Sequence, residues 1–257
     1  MDNIFSLEGK KGLVVGIANN KSIAYGCAAA MRKQGADLAI TYLNDKAEKF
    51  VRPIAEELEA KLFLPLDVSV EGQLETVFEA VEKTWGKLDF LLHSIAFAPK
   101  EDLHGRIVDC SAAGFALAMD ISCHSFIRMS KLAEPLMPDG GSLMTVSYYG
   151  GRKVVENYNL MGPVKAALEM SVKYMASELG PKGIRVNAIS PGPLKTRAAS
   201  GIAGFDDLLE QAAKRAPQHQ LVDIDDCGAV AAFLAGDGSK TITGTTLFVD
   251  AGYHIIG

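Results

Sequence analysis

The sequence predicts an α/β fold, a doubly wound parallel sheet of seven strands with helices on both faces. Three observations carry that expectation. Short apolar runs recur along the 257 residues and alternate with longer stretches that place apolar residues at helical spacing. Strands that are apolar throughout are covered on both faces, as in parallel rather than antiparallel sheets. No linker, charge block, low-complexity run or repeat of solenoid length interrupts the alternation, so residues 1–257 are expected to form one domain.

Gly12 to Ile17 is expected as the first strand, with a helix over Ser22 to Gln34 behind it. Asp37 to Tyr42 forms the second strand, and a helix runs from about Asp45 to Glu59. A third strand at Leu62 to Leu66 precedes a helix over Val70 to Trp85, where Leu74, Val77, Phe78 and Val81 fall on one face. Leu88 to His93 is the fourth strand, and Ser111 to Met137 is one long helix or two close ones. Ser142 to Ser147 is the fifth strand, followed by a helix ending near Leu179. Ile184 to Ile189 and Thr246 to Val249 complete the sheet. Right-handed crossovers make this a Rossmann-type arrangement, in which ligands bind beyond the carboxyl ends of the strands.

Composition narrows the function. With 48% hydrophobic and 22% charged residues the chain has material for one large core, and a net charge of −5 argues against a nucleic-acid binder. No run approaches the length of apolar sequence that spans a bilayer. Met1 to Lys10 lacks the charged and apolar regions of a secretory signal. Cys27, Cys110, Cys123 and Cys227 form no CxxC pair and are expected as small buried hydrophobes in a reducing compartment. A cytoplasmic protein is expected. The five histidines, His93, His104, His124, His219 and His254, show no ligand-like pairing, so no metal is expected.

The first strand runs into Gly16-Ile17-Ala18-Asn19-Asn20-Lys21-Ser22-Ile23-Ala24. This is not GxGxxG, yet Gly16 permits a tight turn, and Ser22 opens a helix whose free amides and dipole suit a pyrophosphate. A bare N-cap role for Ser22 is the competing reading. The second strand ends in Tyr42-Leu43-Asn44-Asp45-Lys46, with neither a carboxylate for the ribose hydroxyls nor an arginine for a 2′-phosphate, which leans weakly toward NADH over NADPH. Asp67 follows the third strand, where it can accept from the adenine amine, cap the next helix, or do both. Further on, Tyr158 and Lys165 stand seven residues apart. At about 100° per residue that spacing predicts a shared helix face, bringing a phenol and an ammonium together downstream of a nucleotide loop.

Gly16…Ser22-Ile23-Ala24, Asp67-Val68, His93-Ser94-Ile95-Ala96-Phe97-Ala98-Pro99, Tyr148, Tyr158-x6-Lys165 and Pro191-Gly192-Pro193-Leu194-Lys195-Thr196 together resemble the NAD(P)H-dependent enoyl-acyl-carrier-protein reductases. These are divergent short-chain dehydrogenase/reductases of type II fatty acid synthesis. The resemblance runs from about Leu7 to Tyr253. Its most specific element is the six-residue gap between tyrosine and lysine. Ordinary short-chain dehydrogenases use a three-residue gap and would need tyrosine at position 161, where this chain has methionine. Leu43 and Ala96 depart from the common pattern, the first replacing a polar residue and the second a glycine.

The resemblance implies that hydride passes from NADH or NADPH to the β-carbon of a trans-2-enoyl thioester, with an enolate forming on the thioester oxygen. Tyr158 is implied to donate to that oxygen, a contact worth on the order of 3 kcal/mol in a dry site. Lys165 is implied to hold the nicotinamide ribose and to favour electron density on the Tyr158 oxygen. Tyr148 lines the acyl pocket, relays a proton or shapes the site. Cofactor contacts are implied for Gly16, Ala18, Ser22, Ile23, Leu43, Asp67 and Val68, and for Ser94, Ile95, Ala96, Lys165, Leu194 and Thr196. Substrate contacts are implied for Ala98, Tyr148, Tyr158, Ile202 and Phe205, the last two anchoring a mobile substrate loop at about residues 194–216. Lys195 and Arg197 lie where an acidic carrier protein would dock. A homotetramer is implied by the family and supported by small and apolar residues on the long helices. An enoyl-CoA reductase and a non-catalytic dinucleotide sensor remain the rivals, and a sensor would be free to lose Tyr158 or Lys165.

Overall fold

The computed structural model describes residues 3–196 and 205–256. Among them, seven strands form one sheet: β1 (Lys11–Val15), β2 (Asp37–Tyr42), β3 (Leu62–Pro65), β4 (Phe90–His93), β5 (Gly141–Val146), β6 (Ile184–Pro191) and β7 (Thr246–Val249). Their order is β3-β2-β1-β4-β5-β6-β7, and every neighbouring pair is parallel. The chain therefore winds outward from β1 in one direction and from β4 in the other. The crevice between those two strands is where such a sheet opens for a ligand.

Each face of the sheet carries its own apolar core. Helices α1 (Ile23–Lys33) and α2 (Asp45–Glu57) cover one face together with α9 (Ile224–Ala235), burying Met31, Leu38, Ile40 and Phe90. On the other face lie α3 (Gln73–Trp85), α5 (Ala112–Met119), α6 (Ser125–Ala133) and α7 (Met161–Leu179), around Phe126, Met129, Leu143 and Leu168. A leucine or phenylalanine buried in this way contributes about 2 kcal/mol of transfer free energy. Helices α1 and α9 approach backbone to backbone: a Cβ on Gly26 would lie 2.3 Å from the Ile224 carbonyl oxygen, and one on Gly228 would lie 2.5 Å from that of Gly26. The short α4 (Lys100–Leu103) and α8 (Phe205–Arg215) complete the set.

Element boundaries depart from expectation at three informative places. Helix α3 starts at Gln73 rather than Val70, because the Asp67 carboxylate accepts from the amide and hydroxyl of Ser69 and closes a turn there. The stretch from Ser111 to Met137 is two helices joined through a single π-helical turn at Asp120–His124. Helix α7 starts at Met161, so Tyr158 precedes it.

Candidate active site

The loop after β1 is folded around one hydroxyl. Ser22 Oγ accepts from the amides of Ala18 at 3.0 Å and Asn19 at 3.1 Å. Ser22 occupies the N-cap position of α1 but makes no side-chain capping bond, so the bare capping role is corrected. No acidic residue lies in the first turn of α1, which leaves the positive end of its dipole, with Ile23 at its start, to an anion. Gly16 has φ +109°, and a Cβ there would fall 2.1 Å from the carbonyl oxygen of Ser94. Only glycine permits that close approach, which brings the loops after β1 and β4 into contact.

At the adenosine end the surfaces are more open. Leu43 is 54% exposed. Asn44 spends its side-chain oxygen capping α2 through the amides of Lys46 and Ala47. Asp67 does not cap α3, whose N-cap is Gly72; one of its oxygens is committed to Ser69. Val68 is buried, and its carbonyl accepts from Arg128 Nη2 at 2.9 Å.

Beneath the other end lies a fully buried polar chain that the sequence did not reveal. His93 ends β4 and is paired in register with Thr145 of β5. Its Nδ1 is 2.9 Å from Thr145 Oγ1, and its Nε2 is 2.8 Å from Ser125 Oγ. Ser125 gives its only proton to the Ile121 carbonyl at 2.6 Å, so it must accept from an Nε2–H, and Nδ1 accepts from Thr145. Burial, reinforced by the charge of Lys165, lowers the His93 pKa to about 3, and the ring is neutral. Ser94 donates its amide to the Val15 carbonyl at 2.9 Å, while Ile95 and Ala98 pack on the core and Ala96 faces solvent.

Tyr158 and Lys165 do come to one place, though not on one regular helix. Tyr158 sits in the turn before α7, between Asn157 at φ +62° and Asn159 at φ +39°, and its carbonyl accepts from Met161. Asparagine tolerates that left-handed region better than most residues, and a one-turn lead replaces the expected helical phasing. The Tyr148 and Tyr158 rings are 4.7 Å apart at 59°. Tyr158 is buried, and the Tyr148 hydroxyl is buried with no hydrogen-bond partner among the described residues. Burial pushes both phenols well above the ordinary tyrosine range, and Glu169 adds to the shift at Tyr158. Both are therefore donors at neutral pH rather than phenolates.

Lys165 is buried and donates to the Val146 carbonyl at 2.8 Å. Burial lowers its pKa to about 8 against the opposing influence of Cys123 and Glu169. Glu169, one helical turn along α7, is buried too; it accepts from Ser147 Oγ and from Arg152 Nε, both at 2.7 Å. These two bonds tie the end of β5, and with it Tyr148, to the lysine helix. A lone glutamate inside the apolar stretch Ala166 to Val172 was the available sequence signal.

Leu194 is buried and its carbonyl accepts from the Thr196 amide at 2.8 Å. Leu194 also borders a cavity of about 270 Å³, lined in addition by Lys21, Leu209, Leu221 and Ile224. That cavity includes neither Tyr148 nor Tyr158. Ile202 and Arg197 lie outside the described residues, as does the side chain of Phe205, whose backbone opens α8. Among the described residues no cluster of three metal-ligating side chains occurs, and no helix is long and apolar enough to cross a membrane.

Residues 16–254 match the family described as enoyl-(acyl carrier protein) reductase. The chain is 48% identical over 257 residues to the enoyl-(acyl-carrier-protein) reductase (NADH) FabI of Nostoc sp., an alignment covering 99% of this chain and 100% of that protein. The crystal structure of the Anaplasma phagocytophilum enoyl-(acyl-carrier-protein) reductase in complex with NAD superposes with a TM-score of 0.94 at 48% identity, covering 98% of this chain and 96% of that one. The Bacillus cereus enoyl-acyl carrier protein reductase with NADP+ and indole naphthyridinone superposes at 0.95 with 43% identity, covering 98% of each chain.

Proposed function

The chain belongs to the enoyl-(acyl carrier protein) reductase family, and from that premise we propose how its own residues carry the reaction. It is an NADH-dependent oxidoreductase that reduces trans-2-enoyl thioesters on acyl carrier protein in fatty acid synthesis. Bound NADH supplies a hydride to the β-carbon, and a proton then reaches the α-carbon to give the saturated thioester and NAD+.

The residues present fit that cofactor. The uncapped first turn of α1, the Ser22-centred loop and the glycine contact at Gly16 form a cradle for the pyrophosphate, flanked by Ala18 and Ile23. Leu43, Asp67 and Val68 lie toward the adenosine, while Ser94, Ile95, Ala96, Leu194 and Thr196 lie toward the nicotinamide. Lys165 is poised to hold the ribose hydroxyls; its bond to the Val146 carbonyl fixes the ammonium, so little orientation remains to be acquired on binding.

The observation that carries the mechanism is the buried Tyr148–Tyr158 pair beside Lys165. Tyr158, held protonated by burial, donates to the thioester oxygen as negative charge gathers there. Tyr148, whose buried hydroxyl has no partner among the described residues, offers a second donor to the acyl chain, for which Ala98, Ile202 and Phe205 are also proposed as contacts. The test is enoyl-thioester-dependent oxidation of NADH, followed by absorbance with crotonyl and longer substrates. Turnover that falls about a hundredfold in Tyr158→Phe, and falls in Lys165→Ala as well, is expected. Full turnover in both variants, with cofactor still bound, overturns the assignment.

Further proposals concern the whole chain. Residues 1–257 act as one dinucleotide-binding domain, and about 194–216 serve as the substrate-binding segment, in which Phe205–Arg215 is helical rather than the loop the sequence suggested. Lys195 and Arg197 meet the acidic carrier protein. The chain assembles as a homotetramer, for which exposed Phe115, Leu117 and Ile127 near α5 and α6, and Met170 and Tyr174 on α7, supply apolar contact surface. Light scattering that gives a monomer mass at micromolar concentration would overturn the assembly. A cytoplasmic location accords with the four free cysteines.

A further inference from the structure

We infer that the π-turn at Asp120–His124 is a positioning device: it sets Ser122, Ser125 and Arg128 as three posts that hold the two ends of the cleft in place. This rests on the enoyl reductase reading of the site and assigns roles to residues that reading does not use.

The first post is Ser122, fully buried within the turn. Its hydroxyl accepts from the Phe97 amide at 2.8 Å and donates to the Phe97 carbonyl at 3.0 Å. One side chain thus satisfies both backbone groups of a residue in the loop after β4. That residue stands between Ala96, on the nicotinamide side, and Ala98, on the acyl side. Phe97 itself is 47% exposed, so its ring does not anchor the loop; the Ser122 hydroxyl does.

The second post is Ser125, at the junction of the π-turn with α6. It donates backward to the Ile121 carbonyl and accepts from His93. Back-bonding of this kind bends helices, and here a neutral, fully buried histidine at the end of β4 holds the bend from below. The third post, Arg128, reaches in the other direction. It donates to the Val68 carbonyl at 2.9 Å and to Asp120 Oδ2 at 3.4 Å. Asp120 also takes His124 Nδ1 at 2.9 Å, so one carboxylate brackets the turn from its first residue to its last and beyond.

A π-turn carries one residue more than an α-turn and rotates everything that follows it, which is why such turns recur at functional sites. That rotation lets one bulged helix address the loop after β4 with Ser122 and the loop after β3 with Arg128. The posts act through backbone they hold, not by touching substrate or cofactor.

The test is a split between two constants in the full-length enzyme. NADH dissociation is read by fluorescence titration, and KM and kcat for a crotonyl thioester are read at saturating NADH. Wild-type turnover is established first; its absence would count against the reaction itself, not against the posts. Loss of one hydrogen bond corresponds to about a fivefold change in an equilibrium constant. Ser122→Ala is expected to raise thioester KM about fivefold and leave NADH affinity within about twofold, while Arg128→Met does the reverse. Ser125→Ala is expected to move both. Should Ser122→Ala or Arg128→Met not fold, Ser122→Cys and Arg128→Lys carry the same split. Ser122 or Arg128 variants that shift both constants by one factor in step with Tm, or shift neither, overturn the inference.

Discussion

The two ends of the cleft are built on opposite plans. Where β4 and β5 end, polar side chains are buried and hydrogen-bonded: His93 to Thr145 and Ser125, Glu169 to Ser147 and to the exposed Arg152, Lys165 to a carbonyl. Where β2 and β3 end, Leu43 lies open, and Asn44 and Asp67 spend hydrogen bonds on their own turns. Negative charge that develops during reduction needs fixed donors in a dry setting, where each is worth far more than in water. An adenosine needs only to be tethered. The polar groups are concentrated where charge moves.

The largest expected effect strikes the buried end directly. Tyr158→Phe should lower kcat about a hundredfold while NADH titrations stay near wild type; an equal loss in both would mean that the phenol binds cofactor rather than stabilising charge.

His93 gives the next. In an unfolded chain a histidine titrates near 6.5, whereas in the folded protein the value is about 3. Above pH 6.5 both states are neutral and nothing is lost. As pH falls below 6.5, the unfolded chain takes up a proton that the folded one refuses, so stability declines down to about pH 3 by up to about 1.4 kcal/mol per unit. Urea midpoints measured from pH 7 to 4 should show that slope, and His93→Gln should flatten it.

Lys165 titrates on the alkaline side. Its ammonium is lost above about pH 8, so NADH affinity of the free enzyme should be level below that value and weaken above it, by at most about tenfold per unit. The facing groups are His93, already neutral, together with Cys123 and Glu169, which oppose the loss. Lys165→Arg, charged throughout, should abolish the alkaline fall whatever its own affinity.

Tyr148→Phe removes a buried hydroxyl that has no partner among the described residues, and the ligand-free enzyme should gain about 1 kcal/mol in denaturant unfolding. Smallest of all, Leu43→Gln at the open end should tighten NADH about threefold by offering the ribose an acceptor. A larger gain there than the loss at Tyr158 would invert the contrast between the ends.

Most of the sheet was legible in the sequence because buried parallel strands are continuous apolar runs: β2 and β7 match residue for residue, and the end of α7 falls at Leu179 as expected. Tyr158 and Lys165 were legible as a pair, but the turn that carries Tyr158 was not. Periodicity assigns a face and does not distinguish a helix from a left-handed asparagine turn that leads into one. The bonds that join His93 to Thr145 and Ser125 escaped notice because a single polar residue in an apolar strand has no period, and its partners lie 52 and 32 positions away. Helix α9 is a different kind of omission. Its capping box, Asp223 with Asp226, stands in plain sequence ahead of an apolar run.

That omitted helix has a reach beyond its own packing. Where Gly26 meets α9 the nearest atoms are the Ile224 carbonyl and Cβ, which cannot swing aside, so a single added methyl would act as a wedge rather than as a filler. It would tilt α1, whose first turn cradles the pyrophosphate, about a fulcrum remote from every reacting atom. How far this lineage can drift without losing its grip on the coenzyme is therefore governed in part by two glycines that never meet it.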